Sequence, residues 1–360
     1  MKVSTKPEQD RSALGWRSRA PSRSLANHRI ARIARTIVCV KPYFRIPGLA
    51  SVLASVLALS ACAGVLEVDG ALAIAPYHIE DSGRIVVEAR VNGQGPFDFA
   101  LDTGSSISAV FDELRNELAL EPIPGIKVIV HGAVASGQFS LLDIGLLEVG
   151  REVWAEPRIV SLPGTTAAGA SIDGLLGVDF LRRYAVGFST RDRVVRLYSP
   201  DLVADRSYRG WASVPLKAER IGERGAALYF IDIEIDGRKI PALFDLGAGS
   251  NIINSSGARG LASSALRRDD VFTGALESST VVARLDAEEV ITAGIRWRNE
   301  VFSIADLEIF ETLLLRDSPA AILGAGLFTQ RDFIIDFVRS RLLVKVAMHE
   351  INGSDSEGNQ

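Results

Sequence analysis

Cysteine is almost absent from this 360-residue chain, which has only Cys39 and Cys62. Two cysteines cannot build a disulfide framework or a thiolate metal site. Histidine is nearly as scarce: His28, His78, His131 and His349 stand apart, without the spacing of a ligand set. Neither a metal nor another cofactor is therefore expected. A basic body is missing too. Of 40 Lys or Arg and 44 Asp or Glu, residues 1–61 hold eleven and two, so the rest of the chain holds 29 and 42. That acidic balance argues against a nucleic-acid partner, which would need a positive face. Long amphipathic helical patterns are rare, with 112–120 and 181–184 as short exceptions. With 47% hydrophobic and 23% charged residues, the chain has apolar material for one large globular domain or two smaller ones.

Residues 1–61 read as a targeting segment with a basic extension, outside the fold. Residues 11–45 are basic and irregular, 49–59 are an apolar run rich in Ala, Val and Leu, and the run ends in Leu59-Ser60-Ala61-Cys62. It is too short to serve comfortably as a permanent membrane span. No paired arginines precede it, so a twin-arginine route is unsupported. The basic part is long for a secretory signal; a start at Val38 or Val40 would shorten it. The Leu-Ser-Ala-Cys ending resembles the lipobox of bacterial lipoproteins. That resemblance implies acylation of Cys62 as the new first residue, a membrane anchor, and a place in the cell envelope facing the periplasm. Ala63 after the cysteine leans toward the outer membrane. The alternative is a plain signal peptide cut nearby, with Cys62 incidental.

The body of the chain is duplicated. One half has Asn92-Gly93 followed by Phe97-Asp98-Phe99-Ala100-Leu101-Asp102-Thr103-Gly104-Ser105. The other has Asp236-Gly237 followed by Ala242-Leu243-Phe244-Asp245-Leu246-Gly247-Ala248. Each reads as a strand, a tight hairpin turn and a second apolar strand ending in Asp-x-Gly. Each half then repeats an apolar-apolar-Gly signal, Leu175-Leu176-Gly177 and Ile322-Leu323-Gly324, and a closing strand, 194–197 and 342–344. Asp102 lies 75 residues before Gly177 and Asp245 lies 79 before Gly324. The shared order and separation predict an all-β, two-lobed body. Its first lobe covers about 75–205 and its second 206–348, with a polar tail at 349–360. Residues 199–225 read as the connection, with 211–216 a candidate strand.

Two carboxylates facing each other across a water can hydrolyse a peptide bond. Close together they cannot both ionise cheaply, so they share one proton and titrate as a unit. The ionised member takes a proton from water while the protonated one donates to the carbonyl oxygen. Such a site needs one Asp per half, at the end of a buried strand, with a Gly that lets the loops approach. Asp102 and Asp245 meet that description.

The stretch Phe99-Ala100-Leu101-Asp102-Thr103-Gly104-Ser105, with Leu175-Leu176-Gly177 and Ile322-Leu323-Gly324, resembles the pepsin-like and retropepsin-like aspartic proteases. The bacterial periplasmic retropepsin-like forms that carry two repeats in one chain are the nearest likeness. The resemblance implies the two-lobed aspartic-protease β-barrel fold and an Asp102–Asp245 catalytic pair. It implies an extended protein or peptide substrate, and a monomer, because both repeats are already joined. Thr103 would bond across to the opposite loop, Ser105 would steady the Asp102 carboxylate, and Gly104, Gly247 and Ala248 would complete the loops. The segment with Gly132, Ala133 and Gly137 would be the flap, a hairpin that closes on substrate, and 273–275 its counterpart. Leu246 departs from the pattern, since it cannot return the hydrogen bond of a threonine. Two readings of Asp245 stay open: a catalytic residue, or a vestige in a half kept for architecture. Correspondingly, the chain is an endopeptidase of envelope proteins or an inactive relative that binds extended peptides or a partner. Asp173 and Asp179 read as solvated strand ends, and His131 as a surface residue. The substrate and its cleavage preference are not legible.

Overall fold

A computed structural model describes residues 70–346, apart from 132–135, 165–171, 205–207, 209, 221–226, 262–270, 274–278 and 282. The expected targeting segment, Cys62 and the tail 349–360 lie outside the described residues, as do Gly132 and Ala133 of the expected flap and the tip of its expected second-half counterpart.

The fold is all-β and two-lobed. The first half runs β1 (Ala73–Ile79), β2 (Ile85–Val91), β3 (Gln94–Leu101), β4 (Ala109–Phe111), α1 (Asp112–Glu117), β5 (Pro122–His131), β6 (Ser136–Asp143), β7 (Leu146–Val149), β8 (Glu152–Ala155), β9 (Arg158–Leu162), β10 (Gly174–Leu176), α2 (Val178–Leu181), β11 (Ala185–Ser189) and β12 (Val194–Tyr198). After α3 (Pro200–Ala204) the second half runs β13 (Trp211–Pro215), β14 (Lys217–Arg220), β15 (Ala227–Ile235), β16 (Arg238–Phe244), β17 (Asn251–Ile253), α4 (Ser255–Ala258), β18 (Val271–Thr273), β19 (Ser279–Val281), β20 (Ala283–Thr292), β21 (Ile295–Ile304), α5 (Glu308–Thr312), β22 (Ala321–Leu323), α6 (Ala325–Phe328), β23 (Phe333–Asp336) and β24 (Arg341–Lys345). Two short expectations shift. The helix expected at 181–184 ends at Leu181, and the expected connection contains α3.

Local sequence chemistry explains the hairpins. Asn92 and Gly93 have φ of 52° and 77°, and Asp236 and Gly237 have 45° and 83°. Such turns need positive φ at both central residues, which Asn-Gly and Asp-Gly tolerate best. In the second half the strands close into a barrel in the order β15-β16-β22-β17-β21-β20, with β20 returning to β15. The first half repeats the scheme as β2-β3-β10-β4-β9-β6, with β7 returning to β2.

The halves meet in a six-stranded sheet, β13-β24-β23-β11-β12-β1, to which each contributes three strands. Its midline is the antiparallel β11–β23 pair, where Phe188 lies opposite Phe333 and the two rings stack at 4.2 Å. Asp332 accepts hydrogen bonds from Thr190 N and Oγ1 across the same seam. One apolar cluster runs through both halves and includes Leu101, Leu176, Phe244, Leu246 and Leu323. The strands that deliver the two aspartates therefore end in a common core.

Candidate active site

Each aspartate follows the last residue of a buried strand that runs parallel to the apolar-apolar-Gly strand of its own half. In the first half Phe99, Ala100 and Leu101 pair with Gly174, Leu175 and Leu176. In the second, Ala242, Leu243 and Phe244 pair with Ala321, Ile322 and Leu323. The next hydrogen bond of each ladder positions the aspartate: Asp102 N donates to Leu176 O and Asp245 N to Leu323 O. Each loop is then tied to the helix that follows its signal, by Val178 N to Ser105 O and by Ala325 N to Ala248 O, both at 2.8 Å. The signal glycines are sterically required. A Cβ on Gly177 would lie 2.7 Å from the Ile107 carbonyl carbon, and one on Gly324 would lie 2.6 Å from Ala248 O.

The two loops abut at their carboxyl groups. A Cβ on Gly104 would lie 2.4–2.5 Å from the Asp245 carboxyl atoms, and one on Gly247 would lie 2.3–2.6 Å from those of Asp102. Each glycine thus faces the opposite aspartate. Thr103, fully buried, spans the interface: its Oγ1 donates to Phe244 O at 2.8 Å and accepts from Leu246 N at 2.9 Å. Leu246 is also fully buried but has no hydroxyl to return the contact.

Backbone donors hold the carboxylates. Ser105 N donates to Asp102 Oδ1 at 2.8 Å, and Gly247 N and Ala248 N donate to Asp245 Oδ1 at 2.8 and 3.2 Å. Ser105 steadies Asp102 through this main-chain N–H; its hydroxyl donates instead to Ile107 O at 2.7 Å. Burial pushes the Asp245 carboxyl well above the usual carboxylate range, and the negative charge of Asp102 pushes it further, against the Gly247 and Ala248 N–H groups. Burial also raises Asp102, but the Ser105 and Gly104 N–H groups, the hydrogen bond with Asp245 and the Arg84 guanidinium oppose the rise. Burial thus raises both carboxyls, and groups this close titrate as a unit.

Several groups around the pair carried no sequence signal. Arg84 donates through Nε to Glu80 at 2.6 Å, in the turn between β1 and β2. Its guanidinium also acts on the Asp102 carboxyl through charge. The same turn presses on the second loop so closely that a Cβ on Gly249 would lie 1.6 Å from Ser82 O. Neither Asp173 nor Asp179 is a solvated strand end. Asp173 accepts from Asp98 N at 2.7 Å. Asp179 accepts from Ser108 N and Oγ at 2.9 and 2.7 Å, and Ser108 Oγ accepts in turn from Gly177 N. In the second half Asn251 Oδ1 accepts directly from Gly324 N at 3.0 Å.

The expected flap is the β5–β6 hairpin, with His131 paired to Ser136 and Val130 to Gly137. The start of β6 contacts the second half. The Ser136 hydroxyl donates to Glu308, the first residue of α5, and His131 Nδ1 lies 2.9 Å from the same hydroxyl. His131 is thus exposed but partnered. The strands of the second-half hairpin are β18 and β19, paired from Val271–Val281 to Thr273–Ser279.

The comparison with curated proteins gives no match. Residues 87–180, from β2 through the Asp102 loop to α2, match the family described as aspartyl protease, which supports a peptide-bond hydrolase.

Proposed function

We propose that the protein is an aspartic endopeptidase of the bacterial cell envelope, with Asp102 and Asp245 as its catalytic pair. The observation that carries this reading is the reciprocal contact of the loops, in which Gly104 meets the Asp245 carboxyl and Gly247 meets that of Asp102. A vestigial Asp245 would have no need of that geometry. A half-buried carboxylate beside another one costs free energy, and Asn would serve the turn equally well.

In this reading Asp102, opposed in its rise by Arg84, acts as the base and Asp245 as the acid. Asp102, the ionised member, takes a proton from a water held between the carboxyls, and the resulting oxygen nucleophile attacks the substrate carbonyl carbon. Asp245 gives its proton to the carbonyl oxygen, forming a neutral tetrahedral diol. Asp102, now protonated, passes a proton to the amide nitrogen, the C–N bond breaks, and Asp245 recovers its proton from the diol. The β5–β6 hairpin covers an extended peptide from above and excludes bulk water.

In this proposal Cys62 carries lipid chains that hold the enzyme on a membrane facing the periplasm, the outer membrane by preference, and the covalently joined lobes work as a monomer. Cys62→Ser should move the protein from the membrane to the soluble fraction. The deciding experiment is digestion of a peptide library by the purified protein between acidic and neutral pH, with and without an aspartic-protease inhibitor. Inhibitor-sensitive cleavage is the expected result. No cleavage anywhere in that range would leave the cleft as a peptide-binding site without catalysis.

A further inference from the structure

A cavity of about 460 Å³ opens beside the second catalytic loop, and its wall includes Gly249, Ser250, Arg298, Glu300, Gly326 and Gln330. Gly249 and Ser250 directly follow the Asp245–Ala248 loop in the chain, so the cavity adjoins that loop. The opposite wall is the outer stretch of β21, and the floor is α6 and the turn after it. The volume is in the range of small-ligand pockets and exceeds what one long side chain needs.

Glu300 is a carboxylate of this cavity with a single hydrogen-bond partner. Its carboxyl is half-buried, and burial raises it above the usual carboxylate range, against a single hydrogen bond from Gln330 Nε2 at 3.2 Å. Among the described residues no cation lies within ion-pair distance of it. Arg298 shares the wall, but its guanidinium is the cation of a different contact, 3.9 Å from Glu289, and its side chain is 75% exposed. Asn251, another polar side chain of the lining, is engaged with Gly324 N and Val301 O. A partly desolvated carboxylate with one neutral partner gains most from a charge-assisted donor.

We propose that this cavity is an accessory subsite for a lysine or arginine side chain of the extended substrate, with Glu300 as the counter-charge. The proposal rests on the cleft being a peptide site and adds a substrate class to it. It assigns Glu300 to substrate selection and gives it no part in the chemical step.

The test walks one lysine through every position of a cleaved peptide, with norleucine as the uncharged match at each position. At one position the full-length protein should prefer lysine. Glu300→Gln, which keeps the side-chain shape, should lower the lysine-to-norleucine ratio of kcat/KM at that position by roughly tenfold, the loss expected of one charge-assisted contact. A ratio near one at every position, or a ratio unchanged by Glu300→Gln, overturns the subsite. If the wild type cleaves none of the peptides, the peptidase reading falls separately. The same pairs are then compared by binding anisotropy. Tighter binding of a lysine peptide that disappears in Glu300→Gln upholds the cavity, and equal binding of both peptides overturns it.

Discussion

The two halves deliver their aspartates by the same main-chain hydrogen bonds and by different side chains. Asp102 and Asp245 both donate to the last residue of the neighbouring strand, and Ser105 O and Ala248 O both accept from the helix beyond. Around that common frame the first half has a cross-loop hydroxyl, a Ser108–Asp179 relay to Gly177 N and long flap strands. The second half has Leu246, a direct Asn251 bond to Gly324 N and short hairpin strands. The difference teaches that backbone ladders and two close-packed glycines set the positions of the carboxyls, while side chains only secure them. That is why a leucine at 246 is compatible with a facing pair.

The strongest way to break the comparison is at the reacting groups, where the halves should be equally sensitive. Asp102→Asn and Asp245→Asn should each reduce kcat by at least about a thousandfold, since neither can complete the proton cycle alone. Gly104→Ala and Gly247→Ala should abolish cleavage as well, because either Cβ enters the opposite carboxyl. Stability should move differently. The folded Asp245 carboxyl titrates above its ordinary range. Its contribution is therefore complete below that ordinary range and is lost as pH rises through the raised value. Asp245→Asn should consequently melt at a higher temperature than wild type at neutral pH, with the gap closing in acid. Full activity of Asp245→Asn would make the second half architectural.

The sequence displayed this frame because its signals are local. An Asn-Gly turn, an Asp-x-Gly loop and an apolar-apolar-Gly strand each fit within ten residues, and their repetition at matched spacing implied two lobes. What stayed hidden was non-local. The bond from Ser136 to Glu308 joins residues 172 apart, and the Ser108–Asp179 pair spans 71. No spacing rule links such partners before the chain is folded. The Ser105 hydroxyl illustrates a different limit: a residue in the right place serves through its main chain, and sequence does not distinguish the two uses.

The second test sharpens the comparison at the hydroxyl. Because the Leu246 side chain returns no hydrogen bond, the hydroxyl link between the loops, beside the Asp102–Asp245 contact, rests on Thr103. Thr103→Val keeps the shape but strips partners from Phe244 O and Leu246 N, both in buried surroundings, at a cost of about 2–4 kcal/mol. Leu246→Thr should cost less. It removes apolar volume from a filled core, about 1–3 kcal/mol, and regains about 1 kcal/mol if its hydroxyl bonds across. Urea midpoints of the two variants should therefore fall in the order wild type, Leu246→Thr, Thr103→Val. A reversed order would mean that the loops depend on the packing of Leu246 more than on the threonine bond.

The smallest effect concerns the charges that set the two aspartates apart. Arg84 opposes the rise of the Asp102 carboxyl, while Glu80, bonded to Arg84 at 2.6 Å, supplies the compensating negative charge. Burial would raise Glu80, but its bonds from Arg84 and Ser82 hold it below its usual range, so it stays ionised beside the site. The two ends of this ion pair should therefore shift the pH profile in opposite directions. Arg84→Gln removes the cation and leaves Glu80 uncompensated. The Asp102 carboxyl should rise further, and the acidic limb of kcat/KM should move to higher pH, because the base must ionise before it can accept a proton. Glu80→Gln leaves Arg84 unopposed and should move that limb to lower pH. Arg84→Lys keeps the charge and should restore most of the wild-type profile, which a purely structural role for the guanidinium would not allow. The alkaline limb, set in this reading by loss of the proton on Asp245, should respond less, because Arg84 is among the charges acting on Asp102 while Asp245 is shifted chiefly by burial and by Asp102. Equal shifts of both limbs would show that Arg84 acts on the pair as a whole and does not distinguish its members.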